Sequence, residues 1–358
     1  MTAKVKVLIV DDSALIRQIL TKIINSDPEL EVVGTAVDPM AARDKITALK
    51  PNILTLDIEM PRMDGITFLR NLMRLHPMPV IMISSLTSAG ADVTLQALEI
   101  GAVDFVSKPK VGVGEQLETY SEEIVDKVKA AAGAKLKTKT KDSKLQVAEK
   151  LSVDAILPKR SPGSHSRAAE NFFAIGASTG GTEAIKEVLL RMPADAPGIV
   201  ITQHIPAAFS APFAKRMGSI SKMTVHHAID GQHILPGNVY IAPGDKHLLV
   251  EKTGARFICR LNDGPLVNRH KPSVDVMFRS VVQAAGANAI GVMLTGMGAD
   301  GALGMKEMHE AGSVTIAQNE ESSVVWGMPG SAVEMGGVDH IITLEKIAEK
   351  MLEVARKA

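Results

Sequence analysis

A chain of 358 residues has room for two domains with ordinary cores. With 46% hydrophobic and 22% charged residues it reads as globular, and 40 basic residues against 40 acidic ones leave no basic excess for a nucleic-acid backbone. No apolar run approaches the ~20 residues that span a bilayer, and the opening "MTAKVKVLIVDDS" is too short in its apolar part for a signal peptide, so a cytoplasmic protein without membrane insertion is expected. The lone Cys259, inside "RFICRL", reads as a core thiol.

From Val5 to Val128 short β-branched runs alternate with helical periodicity: "VKVLIV", Ala14 to Asn25, "EVVGTA", Pro39 to Leu49, "ILTLDI", Gly65 to Leu75, "PVIMIS", Ala91 to Ile100, "DFVSK" and Gly114 to Val128. Strands without polar alternation are buried on both faces, which implies a parallel sheet between helix layers. Repeated βα units of this kind make a flavodoxin-like α/β domain, expected over residues 1–130.

Residues 131–169 are rich in lysine and then in proline, serine and glycine, and read as an interdomain linker. A second α/β domain is expected over 170–358, with strands at "FFAIGA", "GIVITQ", "MTVHHA", "VYIAP", "HLLVE", "RFICRL", "AIGVMLTG" and "SVTIAQ". The turns "PGD" and "KTGA" in its middle predict antiparallel hairpins, so the fold class is a doubly wound, mostly parallel sheet with an antiparallel excursion.

In the first domain, strands one and three end in Asp11, Asp12 and Asp57, which a doubly wound sheet brings to one edge. Clustered carboxylates repel unless a cation intervenes, and oxygen ligands suit Mg²⁺. Strands four and five add the Ser84 hydroxyl and the Lys108 ammonium. The set "DD", "LDIEMPRMDG", "SS" and "KP" resembles the receiver domain of bacterial response regulators. The resemblance implies that Asp57 accepts a phosphoryl group, that Asp11, Asp12 and Asp57, with the carbonyl of Glu59, arrange Mg²⁺, and that Ser84, Phe105 and Lys108 sense the added charge.

The second domain opens on "FFAIGASTGGTEAIKEVLL". As a dinucleotide fingerprint it fails, because Ser178 stands where the second glycine must be, and "GIVITQH" ends in Gln203 and His204 rather than an acid. As G-x-S-x-G it fits a nucleophile elbow on Ser178, followed by a helix whose N-terminus favours a developing oxyanion. His204 closes the next strand and Asp300 follows "AIGVMLTG", so three strand ends bring a nucleophile, a base and an acid to one edge. Read singly, Ser178 is as well a helix cap, His204 a satisfied strand-end histidine, and Asp300 a cap for the helix at "GALGMKEM". His226 and His227, with His233 or His247, are weaker candidates for a zinc site. "NRHK", Asn268 to Lys271, is either a basic run facing an anionic partner surface or a solvated lead into a helix.

The motifs "IGASTGGTEAI", "ITQH", "PSVDVMFRSV" and "LTGMGADGALGM" resemble the catalytic domain of the bacterial chemotaxis receptor methylesterases. That resemblance implies hydrolysis of γ-glutamyl methyl esters on chemoreceptor cytoplasmic domains, with deamidation of receptor glutamines, and a chemotaxis histidine kinase as phosphodonor. Backbone N–H groups at Thr179 and Met297 would hold the oxyanion, and the esterase step would need no cofactor. The receiver is expected to cover the catalytic crevice until Asp57 is phosphorylated. A response regulator whose second domain is a Rossmann-like binding module without hydrolase activity is the alternative.

Overall fold

A computed structural model describes residues 4–60, 64–84, 88–108, 114–133, 151–159 and 171–357. The chain divides into two compact units, Met1–Thr140 and Lys141–Ala358.

The first unit runs β1 (Val5–Val10), α1 (Ala14–Asn25), β2 (Leu30–Ala36), α2 (Pro39–Leu49), β3 (Ile53–Asp57), α3 (Gly65–Leu75), β4 (Val80–Ser84), α4 (Ser88–Ile100), β5 (Asp104–Ser107) and α5 (Gly114–Gly133). Its five strands pair in parallel in the order β2-β1-β3-β4-β5, the expected flavodoxin-like arrangement. Every residue of β3 and β4 is buried, which is why these strands carry no polar alternation. Ile9, Ile53, Ile81 and Val106 meet Leu20, Ile24, Ile124 and Val128 of α1 and α5 in one core. Ser13, Asp38 and Asp64 start α1, α2 and α3 by accepting the backbone N–H of Ile16, Ala41 and Thr67, each cap being worth about 1 kcal/mol.

The second unit contains β6 (Phe172–Ala177), α6 (Gly181–Arg191), β7 (Ile199–Gln203), α7 (Ala207–Ile220), β8 (Thr224–His227), β9 (Asn238–Ile241), β10 (His247–Thr253), β11 (Arg256–Asn262), α8 (Val274–Ala285), β12 (Ala289–Met293), α9 (Ala302–Glu310), β13 (Val314–Gln318), α10 (Gly327–Glu334), β14 (His340–Ile342) and α11 (Leu344–Lys357). A seven-stranded sheet of order β14-β13-β12-β6-β7-β9-β8 is parallel throughout, while β10 and β11 form a separate antiparallel pair. The "KTGA" turn therefore closes a hairpin as expected, but "PGD" does not. The strand before "PGD", β9, slots into the parallel sheet between β7 and β8. Successive strands leave β6 on one side through β7 and on the other through β12, so the chain reverses direction between β6 and β12. In open α/β sheets the crevice at such a reversal, beyond the carboxyl ends of the strands, is where ligands bind.

Of the expected linker, residues 131–133 finish α5, and 134–150 and 160–169 lie outside the described residues. Residues 151–159 pack on the second unit: Val153, in a short 3₁₀ turn, is buried with Leu249, Val267 and Val276. None of the described helices is long and apolar enough to cross a membrane.

Candidate active site

Ser178 follows β6 directly and is only 8% exposed. Its N–H donates to the Thr295 carbonyl at 3.1 Å and its own carbonyl accepts from Gly181 N at 2.7 Å, which folds the chain back into α6. Gly180, the N-cap, has φ 75°, a left-handed backbone in which a side chain is strained. The loop after β12 presses on this elbow so closely that a Cβ at Gly296 would lie 2.9 Å from the Cβ of Ser178. Thr179 is buried beside it, its carbonyl accepting from Thr295 Oγ1 at 3.0 Å, and Met297 follows Gly296 in the same loop.

His204 is the neighbour in register. Ala177 of β6 pairs with Gln203 of β7, and His204 N donates to the Ala177 carbonyl at 3.1 Å, so residues 178 and 204 leave adjacent strands side by side. Gln203 braces both, its Nε2 donating to the carbonyls of Ser178 at 3.0 Å and His204 at 3.2 Å. The imidazole Nε2 lies 2.8 Å from Asp300 Oδ2, and Nδ1 is buried without a hydrogen-bond partner. An ionised carboxylate at Nε2 demands a hydrogen there, which leaves the lone pair on Nδ1. No hydrogen bond joins Ser178 Oγ to this ring in the resting geometry, a looseness common in unliganded sites.

Asp300 is 3% exposed and serves two structures at once. Besides His204, it accepts from Ser273 Oγ at 2.8 Å, Val274 N at 2.6 Å and Asn268 Nδ2 at 2.8 Å. It thus sits at the N-terminus of α8, not of α9, whose N-cap is Gly301. Burial would raise the pKa of Asp300, but the His204 hydrogen bond, the neighbouring imidazoles and Asn268 outweigh it and hold the carboxyl well below its usual range. The nearby Asp275 goes the other way: burial, reinforced by the charge of Asp300, pushes it up to about 7.

Several contributors to this site lack a legible pattern in the sequence. Asn268 and His270 come from "NRHK", and the His270 ring stacks on His204 with centroids 3.7 Å apart and planes 12° off parallel. The basic run is therefore partly a wall of the site. The histidines considered for a zinc site are engaged elsewhere: His226 Nε2 meets Asn238 Oδ1 at 2.8 Å, His227 Nε2 meets Ser210 Oγ at 3.0 Å, His247 lies between Pro265 O and Ser273 N, and His233 forms a backbone bridge with Ile258. Cys259 is fully buried, and burial pushes its thiol up to about 12.

In the first unit Asp11 and Asp57 are each 1% exposed while Asp12 faces solvent, and oxygens from the three lie within 4.8 Å of one another. Lys108 Nζ donates to Asp57 Oδ2 at 2.7 Å and stands 3.5 Å from Asp11 Oδ2, an oxygen that carries no hydrogen bond. Burial raises Asp57 to about 6 despite its bond to Lys108. A buried orphan oxygen beside two further carboxylates is a donor set that fits a hard divalent cation. The Mg²⁺ implied by the resemblance to receiver domains would suit it. Ser84 is fully buried, its hydroxyl accepting from Thr94 Oγ1 at 2.8 Å, and Phe105 is buried with Lys127 Nζ 5.3 Å from its ring centre.

Comparison with known proteins agrees with both units. A CheB methylesterase family profile matches residues 173–351, and a response regulator receiver domain profile matches residues 7–115. The chain is 58% identical to the protein-glutamate methylesterase/protein-glutamine glutaminase of Hydrogenovibrio crunogenus, over 99% of this chain and 100% of that one. It is 55% identical to protein-glutamate methylesterase/protein-glutamine glutaminase 1 of Xanthomonas campestris pv. campestris, over 99% and 98%. The crystal structure of the Thermotoga maritima CheB methylesterase catalytic domain aligns with a TM-score of 0.50 and 36% identity, covering 51% of this chain and 97% of that one. A parallel-sheet receiver followed by a sheet with this strand-end crevice, and whole-length identity above one half, place the chain in the protein-glutamate methylesterase/protein-glutamine glutaminase family.

Proposed function

We propose that this chain removes methyl groups from glutamyl methyl esters of chemoreceptors, and deamidates receptor glutamines, through an acyl-enzyme on Ser178. Ser178 Oγ attacks the side-chain carbonyl carbon and its proton passes to His204 Nδ1. The C–O bond to the methoxy group then breaks, and the same proton leaves on methanol. Water repeats the sequence on the acyl-enzyme, giving up a proton to Nδ1, restoring Ser178 and releasing the glutamate carboxylate. With a glutamine substrate the leaving group is ammonia. Asp300 holds the imidazole with Nδ1 free and stabilises its protonated form in the transition state. Backbone N–H groups at Thr179 and Met297 are assigned to the oxyanion, where one donor is worth about 3 kcal/mol of barrier. These steps draw on side chains and backbone N–H groups alone.

The supporting observation is the polarity of His204: one nitrogen is committed to a buried carboxylate and the other is buried, unpartnered and next in register to the elbow serine. A Rossmann-like binding module has no use for that pairing, and the mismatched glycine fingerprint disfavours it as well.

The proposed organisation is a receiver over 1–130, a joining segment over 131–169 whose residues 151–159 are seated on the catalytic unit, and a catalytic domain over 170–358. In the receiver Asp57 takes the phosphoryl group from a chemotaxis histidine kinase. Asp11, Asp12, Asp57 and the carbonyl of Glu59 would hold Mg²⁺, which would supply positive charge to offset that of the phosphoryl oxygens. Ser84, Phe105 and Lys108 are assigned to sensing the modification, and the protein acts in the cytoplasm. The test is methanol release from methylated receptor with and without acetyl phosphate. Activation is expected in the wild type and not in Asp57→Ala. Equal activation of both would remove Asp57 from the scheme.

A further inference from the structure

Asn268 stands between two buried carboxylates. Its Nδ2 donates to Asp300 Oδ1 at 2.8 Å and to Asp275 Oδ2 at 2.7 Å, so one amide group uses both hydrogens to hold two acids that would otherwise repel. Asp275 is fixed on its other oxygen by Gly304 N at 2.7 Å, and Asp300 is fixed by the first turn of α8. Asn268 lies in the loop between β11 and α8. Its backbone takes φ 51°, a left-handed conformation that asparagine tolerates better than most residues.

The loop is pinned from an unexpected direction. Asn268 N donates to the carbonyl of Leu151 at 3.0 Å, and the preceding Val267 is fully buried against Val153, Leu249 and Val276. The same stretch is bolted to α8, since Arg279 Nη1 reaches Asp154 Oδ1 at 2.5 Å and the Leu157 carbonyl at 2.9 Å. Arg279 is itself buried and holds Glu307 through two further bonds. A tight turn links Val267 to His270 by reciprocal backbone bonds of 3.1 and 2.8 Å, so the loop that clamps Asp300 also lays His270 on His204.

We propose that Asn268 is the positioning residue that fixes Asp300 against His204, and that residues 151–157, the last part of the joining segment, fix Asn268 in turn. The proposal rests on the triad reading above and deepens it: the covalent path from the receiver ends on a contact two hydrogen bonds from the catalytic carboxylate. Any force that lifts 151–157 from α8 releases the Asn268 loop and lets the two carboxylates part.

The test uses the full chain and methanol release from methylated receptor, with a double-mutant cycle. Asn268→Gly deletes the amide while keeping the left-handed backbone easy, and is expected to lower kcat about tenfold or more with KM within about twofold, as befits one lost bond to a charged group. In an Asp300→Ala background the same change is expected to lower kcat less than about twofold, because it acts only through Asp300. Val153→Ala is expected to lower kcat by a smaller factor, and to add nothing to Asn268→Gly. Should the glycine variant fail to fold, Val153→Ala compared in the wild-type and Asp300→Ala backgrounds gives the same reading, since it too is expected to act only through Asp300. Equal losses in both backgrounds, or a change in KM alone, would overturn the proposal. If Asp300→Ala keeps wild-type kcat, the triad itself is wrong. If Asp300→Ala is impaired while Asn268→Gly is not, only the present inference fails.

Discussion

Replacing Asp300 by asparagine separates the two duties of this carboxylate. Oδ2 accepts from His204 Nε2 at 2.8 Å and Val274 N at 2.6 Å, whereas Oδ1 accepts from Ser273 Oγ and Asn268 Nδ2, both at 2.8 Å. An asparagine must put an NH₂ at one of these positions. At Oδ2 it would confront two N–H donors that cannot turn away. At Oδ1 it would confront Asn268 and, more distantly at 3.4 Å, Asp275 N, while the Ser273 hydroxyl can rotate to accept. The second orientation is cheaper, and it still loses the Asn268 bond and the charge that strengthened the others. At about 1.5–3 kcal/mol for each bond to a charged group, the expected loss of stability is about 2–5 kcal/mol. His204 keeps its tautomer in that orientation, but its protonated form no longer faces an anion, so kcat for methanol release is expected to fall about 10³-fold or more. Urea unfolding followed through Trp326, the only tryptophan and part of the catalytic unit, reports the first effect. Single-turnover methanol release reports the second. Lost stability with kcat within about tenfold of wild type would show that Asp300 serves α8 alone.

Asp275, pushed up to about 7 from an ordinary value of about 3.9, keeps a proton in the folded state that the unfolded chain has released. The unfolded state then binds fewer protons, so this group makes stability fall as pH rises from about 4 to about 7. Asp275→Asn should flatten that decline in urea unfolding of the catalytic unit, and a difference from wild type that is constant across the window would contradict it. A catalytic fragment beginning at Leu151 is expected to unfold at higher urea than one beginning at Asn171. The shorter one forgoes burial of Val153, worth about 1.5–3 kcal/mol, and the Asp154 contact to Arg279. Indistinguishable midpoints would mean that 151–159 adds nothing to the unit.

Much of the architecture is legible because burial writes itself into composition. β3, β4, β6, β7 and β12 are buried at every position and appear in the sequence as largely apolar runs without regular polar alternation. Their carboxyl ends fall on one edge, so Asp57, Ser178 and His204 are found by reading the residue at the close of each run or just beyond it. Partner choice is harder. β9 is a short strand before a "PGD" turn and reads as half a hairpin, but periodicity records burial, not the neighbour it pairs with, and β9 lies between β7 and β8. The same limit hides Asn268. Its partners Leu151, Asp275 and Asp300 are brought to it by the tertiary fold, and no spacing in the chain encodes hydrogen bonds of that range. Asp300 shows the limit from another side, since a sequence reading assigns its alternative role to the adjacent α9 while the fold gives it to α8.

The central proposition is that Ser178 is acylated by the receptor ester with His204 Nδ1 taking its proton. The most direct measurement is methanol release from methylated receptor by wild type, Ser178→Ala and His204→Ala, alongside mass analysis of wild-type protein quenched during turnover. The account predicts that each substitution lowers the rate by about 10³-fold or more, and that the quenched enzyme carries its added acyl mass on the peptide containing Ser178. Near-normal methanol release by either variant, or an acyl group on any other residue, would contradict it.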